Sequence, residues 1–342
     1  MPLLLNLLHA GGSALLEYLS AHVLTCLVPA FFIAGSIRVF ISQASILKYM
    51  GPQANRATAF GIASISGTVL AVCSCTVIPM FAGMYLGGAG IGPSSTFLYS
   101  GPAINIMALV YSARLLGLDI GLGRSVGAIG FAIVIGLIMA ALFHREEQQR
   151  AANEVQIEIG ESDHSLRRML FFVSWIGVLV FAAAKWWWPT LAALLVIGAM
   201  LRFWFEKDEI LNWLQATWGL VWLILPWLLG GVFIAGMLRE LLPEHVVQQW
   251  VGENSLTSNF VASLFGALMY FATLTEVPIV KAFLQLGMSK GPALALLLAG
   301  PALSLPSMLA IYRIFGFHKT AAYIFLVVVF ATIAGWMFGS FF

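Results

Sequence analysis

The chain has 342 residues, of which 61% are hydrophobic and 9% charged, and its formal net charge is +2. A soluble domain carries about 25% charged residues, and a water-facing surface this apolar would exceed the patches that monomers tolerate, so composition excludes water as the main solvent and selects a bilayer. The small net charge gives no electrostatic footprint for nucleic acid, and Cys26, Cys73 and Cys75 form neither a disulfide framework nor a zinc-type set.

Met1 to Ala10 has no Lys or Arg ahead of its apolar run and no small-residue cleavage site, so a removable signal peptide is not expected. A span needs about 20 mostly apolar residues. Stretches 14–37, 57–86, 93–113, 122–143, 169–184, 187–205, 212–238, 257–286, 291–312 and 320–341 meet or approach that length. Residues 144–168, with Glu146, Glu147, Arg150, Glu154, Glu158, Glu161, Asp163 and Arg167, form the one long hydrophilic segment and read as a linker. Trp186, Trp187 and Trp188, between Lys185 and Pro189, read as an anchor at headgroup level, with core packing as the alternative.

The chain also resembles itself. Pro79, Gly92-Pro93 and Gly101-Pro102-Ala103 recur 199 residues later as Pro278, Gly291-Pro292 and Gly300-Pro301-Ala302. Phe32 to Gly35 and Gly51 recur as Phe233 to Gly236 and Gly252, at an offset of 201. Two halves of this kind are the usual build of secondary transporters, with the solute site at their interface and helices interrupted by Gly or Pro in matching places. The expected division is a first transmembrane repeat over 1–143, the linker over 144–168, two connecting spans over 169–211 and a second repeat over 212–342.

Basic residues should concentrate on the inner side. If all ten segments cross, 9 of the 17 fall inside, which is no bias. If 57–86 and 257–286 are re-entrant hairpins, with breaks near Cys73 to Pro79 and Thr273 to Pro278, the count of the 17 becomes 11 against 6 and the halves come out inverted. The expected fold class is therefore an all-α polytopic membrane protein of two pseudo-symmetric, inverted repeats with discontinuous or re-entrant helices.

Candidate site residues cluster at the matched breaks. Cys73, Ser74, Cys75 and Thr76 precede Pro79, which lacks a backbone donor and disfavours helix at the residue before it. Backbone freed at that depth is tolerated where it lines a cavity or is buried in protein. Thiolates are soft ligands, although small cysteines also serve simply to let helices approach. Cys73 and Cys75, two apart, share no helical face, and a non-helical hairpin tip removes that objection. Cys26 has ordinary neighbours and reads as packing.

The second half has Thr273, Thr275 and Glu276 before Pro278. A charge at mid-span costs about 2.5–3.5 kcal/mol on insertion scales and marks a proton, ion or substrate site, so Glu276 is the candidate coupling carboxylate. Its alternative is a structural pair with Lys281. Gly101-Pro102 and Gly300-Pro301 interrupt two further helices, placing Ser100, Asn105 and Ser304 as further lining candidates, with a simple kink as the alternative. Glu17 and Arg38, towards the ends of the first span, read as snorkelling groups.

The run Val72 to Pro79, Gly92-Pro93, Phe97 to Asn105, Thr275 to Lys281 and Leu298 to Ala302 resembles the predicted-permease family that includes the organoarsenical efflux permease ArsP. The resemblance covers both halves. It implies extrusion of trivalent organoarsenicals such as methylarsenite, with Cys73, Ser74 and Cys75 matching the family's signature; Leu70-Ala71-Val72 departs from the Thr-Pro-Phe of some members. The expectation is a multi-pass permease of the cytoplasmic membrane, not an enzyme. It would move a small solute by alternating access, with a proton exchanged at Glu276. No P-loop is present to couple ATP, and no cofactor or metal is called for. The alternatives are a permease for another small solute, such as a sulfur-containing anion or metal ion, and a membrane thiol redox enzyme, which would need an activating neighbour for its thiol.

Overall fold

The computed structural model describes the chain apart from residues 1, 42, 52–53, 71–73, 105, 155–164, 242–249, 270–275 and 342. Seventeen α-helices and no strand occur among the described residues. The first-half helices are α1 (Pro2–Tyr18), which runs through a π-helical stretch (Leu19–Leu27) into α2 (Val28–Phe40), then α3 (Gln43–Met50), α4 (Arg56–Leu70), α5 (Ser74–Leu86), α6 (Ile91–Ala103), α7 (Ile106–Leu116) and α8 (Leu118–Leu142). Next come α9 (His144–Glu154), α10 (Ser165–Ala183) and α11 (Trp187–Trp204). The rest are α12 (Lys207–Leu241), α13 (Leu256–Leu268), α14 (Glu276–Gln285), α15 (Lys290–Ala299), α16 (Leu305–Phe315) and α17 (Phe317–Phe341).

Among the described residues four helices, namely α8, α11, α12 and α17, are long and apolar enough to cross a membrane by length and composition. The protein is an all-α, multi-pass membrane protein. The stretches 93–113, 257–286 and 291–312, which read as continuous spans, each leave the helix partway, after Ala103, Leu268 and Ala299, and in 57–86 the residues between α4 and α5 lie outside the described ones.

Within α4–α5 and within α13–α14, the start of the first helix and the end of the second lie at the same end of the bundle. Arg56 and Phe60 of α4 line a small cavity together with Gly90 to Pro93 and Glu147. Tyr85, near the exit of α5, donates its hydroxyl proton to Glu147 at 3.0 Å. Both ends of α4–α5 therefore meet the foot of α6. At the opposite end, Asn254 ahead of α13 donates to the Trp336 carbonyl late in α17, and Ser289, after α14, donates to Gly252.

Helices α8 and α17 are antiparallel neighbours. Gly123 of α8 lies against Phe338 of α17, Phe131 meets Phe330 at 5.3 Å between ring centroids, and Lys319 sits 5.8 Å over the Phe143 ring. Close helix crossings recur on either side. A Cβ on Gly136 would lie 2.8 Å from the Gly92 carbonyl, and one on Gly335 would lie 2.6 Å from the Gly291 carbonyl. In both places α6 on α8, and α15 on α17, approach to backbone contact because neither residue has a side chain.

Two kinds of turn also need glycine. Gly88 and Gly287, at φ +108° and +100°, precede α6 and α15, and Gly117 and Gly316, at φ +110° and +78°, precede α8 and α17. L side chains rarely adopt that region. On the outer flank, Phe32, Phe171, Trp175 and Trp213 form an aromatic cluster, with Phe32 and Trp175 stacked at 4.7 Å, that fastens α10 and α12 to α2. Trp186, Trp187 and Trp188 are exposed, 61%, 64% and 83% respectively, which sets aside core packing and suits an interfacial anchor.

Candidate functional site

Arg124, six residues after α8 begins, is fully buried, and its Nη2 lies 3.5 Å from Oε2 of Glu276, the first residue of α14, which is 1% exposed. Nη1 of Arg124 donates to Ser112 Oγ of α7 at 2.9 Å, and that hydroxyl donates to the Ala108 carbonyl at 2.7 Å. The ion pair thus joins the first half of the chain to the second, which α7 also does by packing on α14.

The pair is incompletely satisfied. Arg124 Nε and Glu276 Oε1 have no hydrogen-bond partner although both are buried. Oε1 faces Gly300: a Cβ there would stand 3.1 Å from it and 3.2 Å separates a Cβ on Gly266 from the Gly300 nitrogen. Small residues on α13 and at the end of α15 therefore make room for the carboxylate. Nearby, Tyr99 of α6, 1% exposed, donates to the Leu298 carbonyl of α15 at 3.4 Å, a second tie between the halves.

Lys281 is not the partner of Glu276. It is exposed, because five residues along a helix is about 140° around its axis, which puts Lys281 on another face from Glu276. The charge count that favoured hairpins treats Arg124 as a loop residue, whereas it is buried inside α8. A lone guanidinium between Ile120 and Phe143, in a run with no other charge, was the available signal.

Three of the sequence candidates are buried side chains. Thr76 and Ser100 are fully buried, and Ser304 is 2% exposed. Ser100 bonds locally to the Phe97 carbonyl. Ser304 is the N-cap of α16: its oxygen accepts from the Ser307 nitrogen and lies 2.6 Å from the Ser307 hydroxyl. Ser74 and Cys75 open α5, but their side chains lie outside the described residues, as do Cys73, Asn105, Thr273 and Thr275 altogether.

Gly101-Pro102 lie in the last turn of α6, which ends at Ala103, and Gly300-Pro301 follow α15, which ends at Ala299. Pro79 and Pro278 lie within helices, α5 and α14, and the remainder of the expected breaks, Cys73 and 273–275, falls outside the described residues.

A second polar cluster closes one end of the bundle. Glu147 of α9, 3% exposed, accepts from the Tyr85 hydroxyl and from Ile91 N, each at 3.0 Å, and pairs with Lys319 of α17 at 3.4 Å. Arg150 donates to the Tyr85 carbonyl and lies over its ring at 4.0 Å. The start of the supposed linker is therefore docked on the bundle. The opposite end carries a simpler contact, Lys290 with Asp119 at 2.5 Å. Among the described residues no group of three or more His, Cys, Asp or Glu is placed to hold a metal ion.

A model of the ArsP_1 family, described as a predicted permease, matches residues 10–340. The chain is 42% identical to the UPF0718 protein MJ0584 of Methanocaldococcus jannaschii, over 99% of its own length and 98% of that protein's. It is 26% identical to the UPF0718 protein YraQ of Escherichia coli, over 83% and 68% of the two lengths. No solved structure matches the chain.

Proposed function

The chain belongs to the ArsP_1 family of predicted permeases, and from that premise we propose that it exports a small thiophilic solute, trivalent organoarsenicals first, in exchange for a proton carried by Glu276. The single observation that carries this reading is the buried Arg124–Glu276 pair. An ionisable pair in apolar surroundings, between two halves and against broken helices, is where a transporter needs a group that changes charge.

Alternating access requires two bodies that rock against each other, and the reading of the halves as inverted repeats is supported by their matching parts. Gly92–Gly136 and Gly291–Gly335 are the same crossing 199 residues apart. Phe131 and Phe330, whose rings meet at a tilt, are separated by that same 199, and so are Tyr99 and Leu298, which share a hydrogen bond. Residues that touch their own counterparts fit a local two-fold axis, and the antiparallel course of α8 and α17 fits its lying in the membrane plane. On this reading α4–α5 and α13–α14 are re-entrant hairpins entering from opposite faces.

The cargo assignment rests on the thiols. Cys73 and Cys75 are two apart in the sequence, and a trivalent arsenical binds two sulfurs reversibly because both partners are soft. The protein acts as a carrier in the cytoplasmic membrane, with the solute as its partner and no catalysis of its own. Uptake of methylarsenite into everted vesicles, beside a panel of oxyanions and metals, tests it. Cys73→Ser and Cys75→Ser should each abolish methylarsenite uptake while the protein remains folded, and undiminished uptake in either variant removes the thiol assignment.

A further inference from the structure

Arginine does not lose its charge in a protein, so Arg124 always requires an anion beside it. Glu276 supplies that anion. The other charged groups on helices packed against α8 and α14 lie at the bundle ends or in solvent: Arg56 on α4, Arg114 on α7, Lys281 on α14, Lys290 with Asp119, and His318 and Lys319 on α17. Tyr99 of α6, with Tyr323 of α17 beyond it, and Ser112 of α7 are neutral neighbours. If Glu276 takes up a proton, the guanidinium is left as an uncompensated buried charge, one of the least tolerable states of a protein interior.

The geometry fits a partner that can be exchanged. At 3.5 Å the ion contact is long, compared with about 2.7–2.9 Å for a well-formed charge-assisted bond. Arg124 Nε is unpartnered, and so is Glu276 Oε1. The bond from Nη1 to Ser112 keeps the guanidinium fixed in the first half, whatever Glu276 of the second half does. What remains is a planar fork of donors, the shape that recognises an oxyanion through two parallel bonds.

We propose that the Arg124 guanidinium is an oxyanion site, filled by a small oxyanion when Glu276 releases it. Resting on the reading of Glu276 as proton carrier, this makes the loaded state one proton plus one oxyanion, with the buried charge balanced throughout the cycle. The oxyanion is either a group on the cargo or a co-transported ion, and Arg124 recognises both in the same way.

Sulfate and methanesulfonate serve as probes of the purified full-length protein, followed by thermal unfolding at acidic and alkaline pH. Both anions should raise the Tm of the wild type at acidic pH and have little effect at alkaline pH. Glu276→Gln should bind them at either pH, about tenfold or more tighter than the wild type at alkaline pH, a typical coupling between linked sites. The double variant Arg124→Gln/Glu276→Gln, which retains neither charge, should lose the effect. Stabilisation of the double variant equal to that of Glu276→Gln overturns the proposal, as does the absence of an anion effect on the wild type at acidic pH, a measurement that needs no variant to fold.

In proteoliposomes, uptake of the probe alone marks a cargo group, and methylarsenite flux stimulated by the probe marks a co-transported ion. Proton-dependent methylarsenite flux with no anion effect on binding or transport removes the oxyanion site and leaves the export reading standing. Anion binding at Arg124 without any methylarsenite flux does the reverse.

Discussion

Nη2 of Arg124, in the first half of the chain, meets Oε2 of Glu276, in the second, at 3.5 Å with both side chains withdrawn from solvent. Removing one member leaves the other charge buried alone, whereas removing both leaves none. Arg124→Gln and Glu276→Gln should therefore each cost about 3–5 kcal/mol, while the double variant stays within about 1–2 kcal/mol of the wild type. Thermal unfolding in detergent gives the cycle, and additive single losses would show that the two side chains do not act as a pair.

The glycine crossings should behave alike in the two halves. At Gly136 a methyl group would meet Thr96 Oγ1 and the Gly92 carbonyl, and at Gly335 it would meet Asn259 Oδ1 and the Gly291 carbonyl. Gly136→Ala and Gly335→Ala are each expected to destabilise by about 1–3 kcal/mol through overpacking. Gly130→Ala, with nothing within 4 Å of its Cβ, is the control and should be silent. The same unfolding assay compares all three.

The two bundle ends differ in how firmly they are held. Glu147→Ala strips an acceptor from Tyr85, Ile91 N and Lys319 together, and hydrogen bonds to a charged group contribute about 1.5–3 kcal/mol each. Lys290→Ala removes a pair whose side chains are 45% and 23% exposed, for which about 0–1 kcal/mol is the ordinary range. Added salt should weaken only the second contact. Equal losses in the two variants would show that burial of Glu147 confers nothing.

The hairpin arrangement predicts sidedness. Single cysteines placed at Asn55 and Gln148, both exposed beside the foot of α6, should react with an impermeant maleimide from one face of the membrane. Those at Glu253 and Gln285, exposed beside the foot of α15, should react from the other. Labelling of Asn55 and Gln148 from opposite faces would turn α4–α5 into a full crossing.

How far the sequence foretold this arrangement depended on the residue. Gly300-Pro301 announces the end of α15 because glycine and proline act on their own backbone. Gly101-Pro102 and Pro79 act less sharply, since a helix holds each of them. Gly88 and Gly287 share the 199-residue offset but were not among the landmarks read, since their positive φ belongs to the turn each one makes.

The partner of Glu276 could not be read from its neighbours, because Arg124 is 152 residues away and reaches it through the packing of α8, α7 and α14. Spacing along a helix pointed to Lys281, which the same helix turns outwards. Ser304, chosen for its polarity, is occupied as a cap, and Glu147, assigned to a linker, is buried by a helix end that needed an acceptor for Ile91 N.

The claim that Glu276 couples a proton to solute movement is tested most directly by methylarsenite accumulation in everted vesicles, with an imposed proton gradient and without it. Wild-type accumulation should rise with the gradient and collapse when an ionophore dissipates it, and Glu276→Gln, inserted at normal levels, should exchange methylarsenite at equilibrium but not concentrate it. A Glu276→Gln protein that still accumulates the solute in proportion to the gradient would contradict the account.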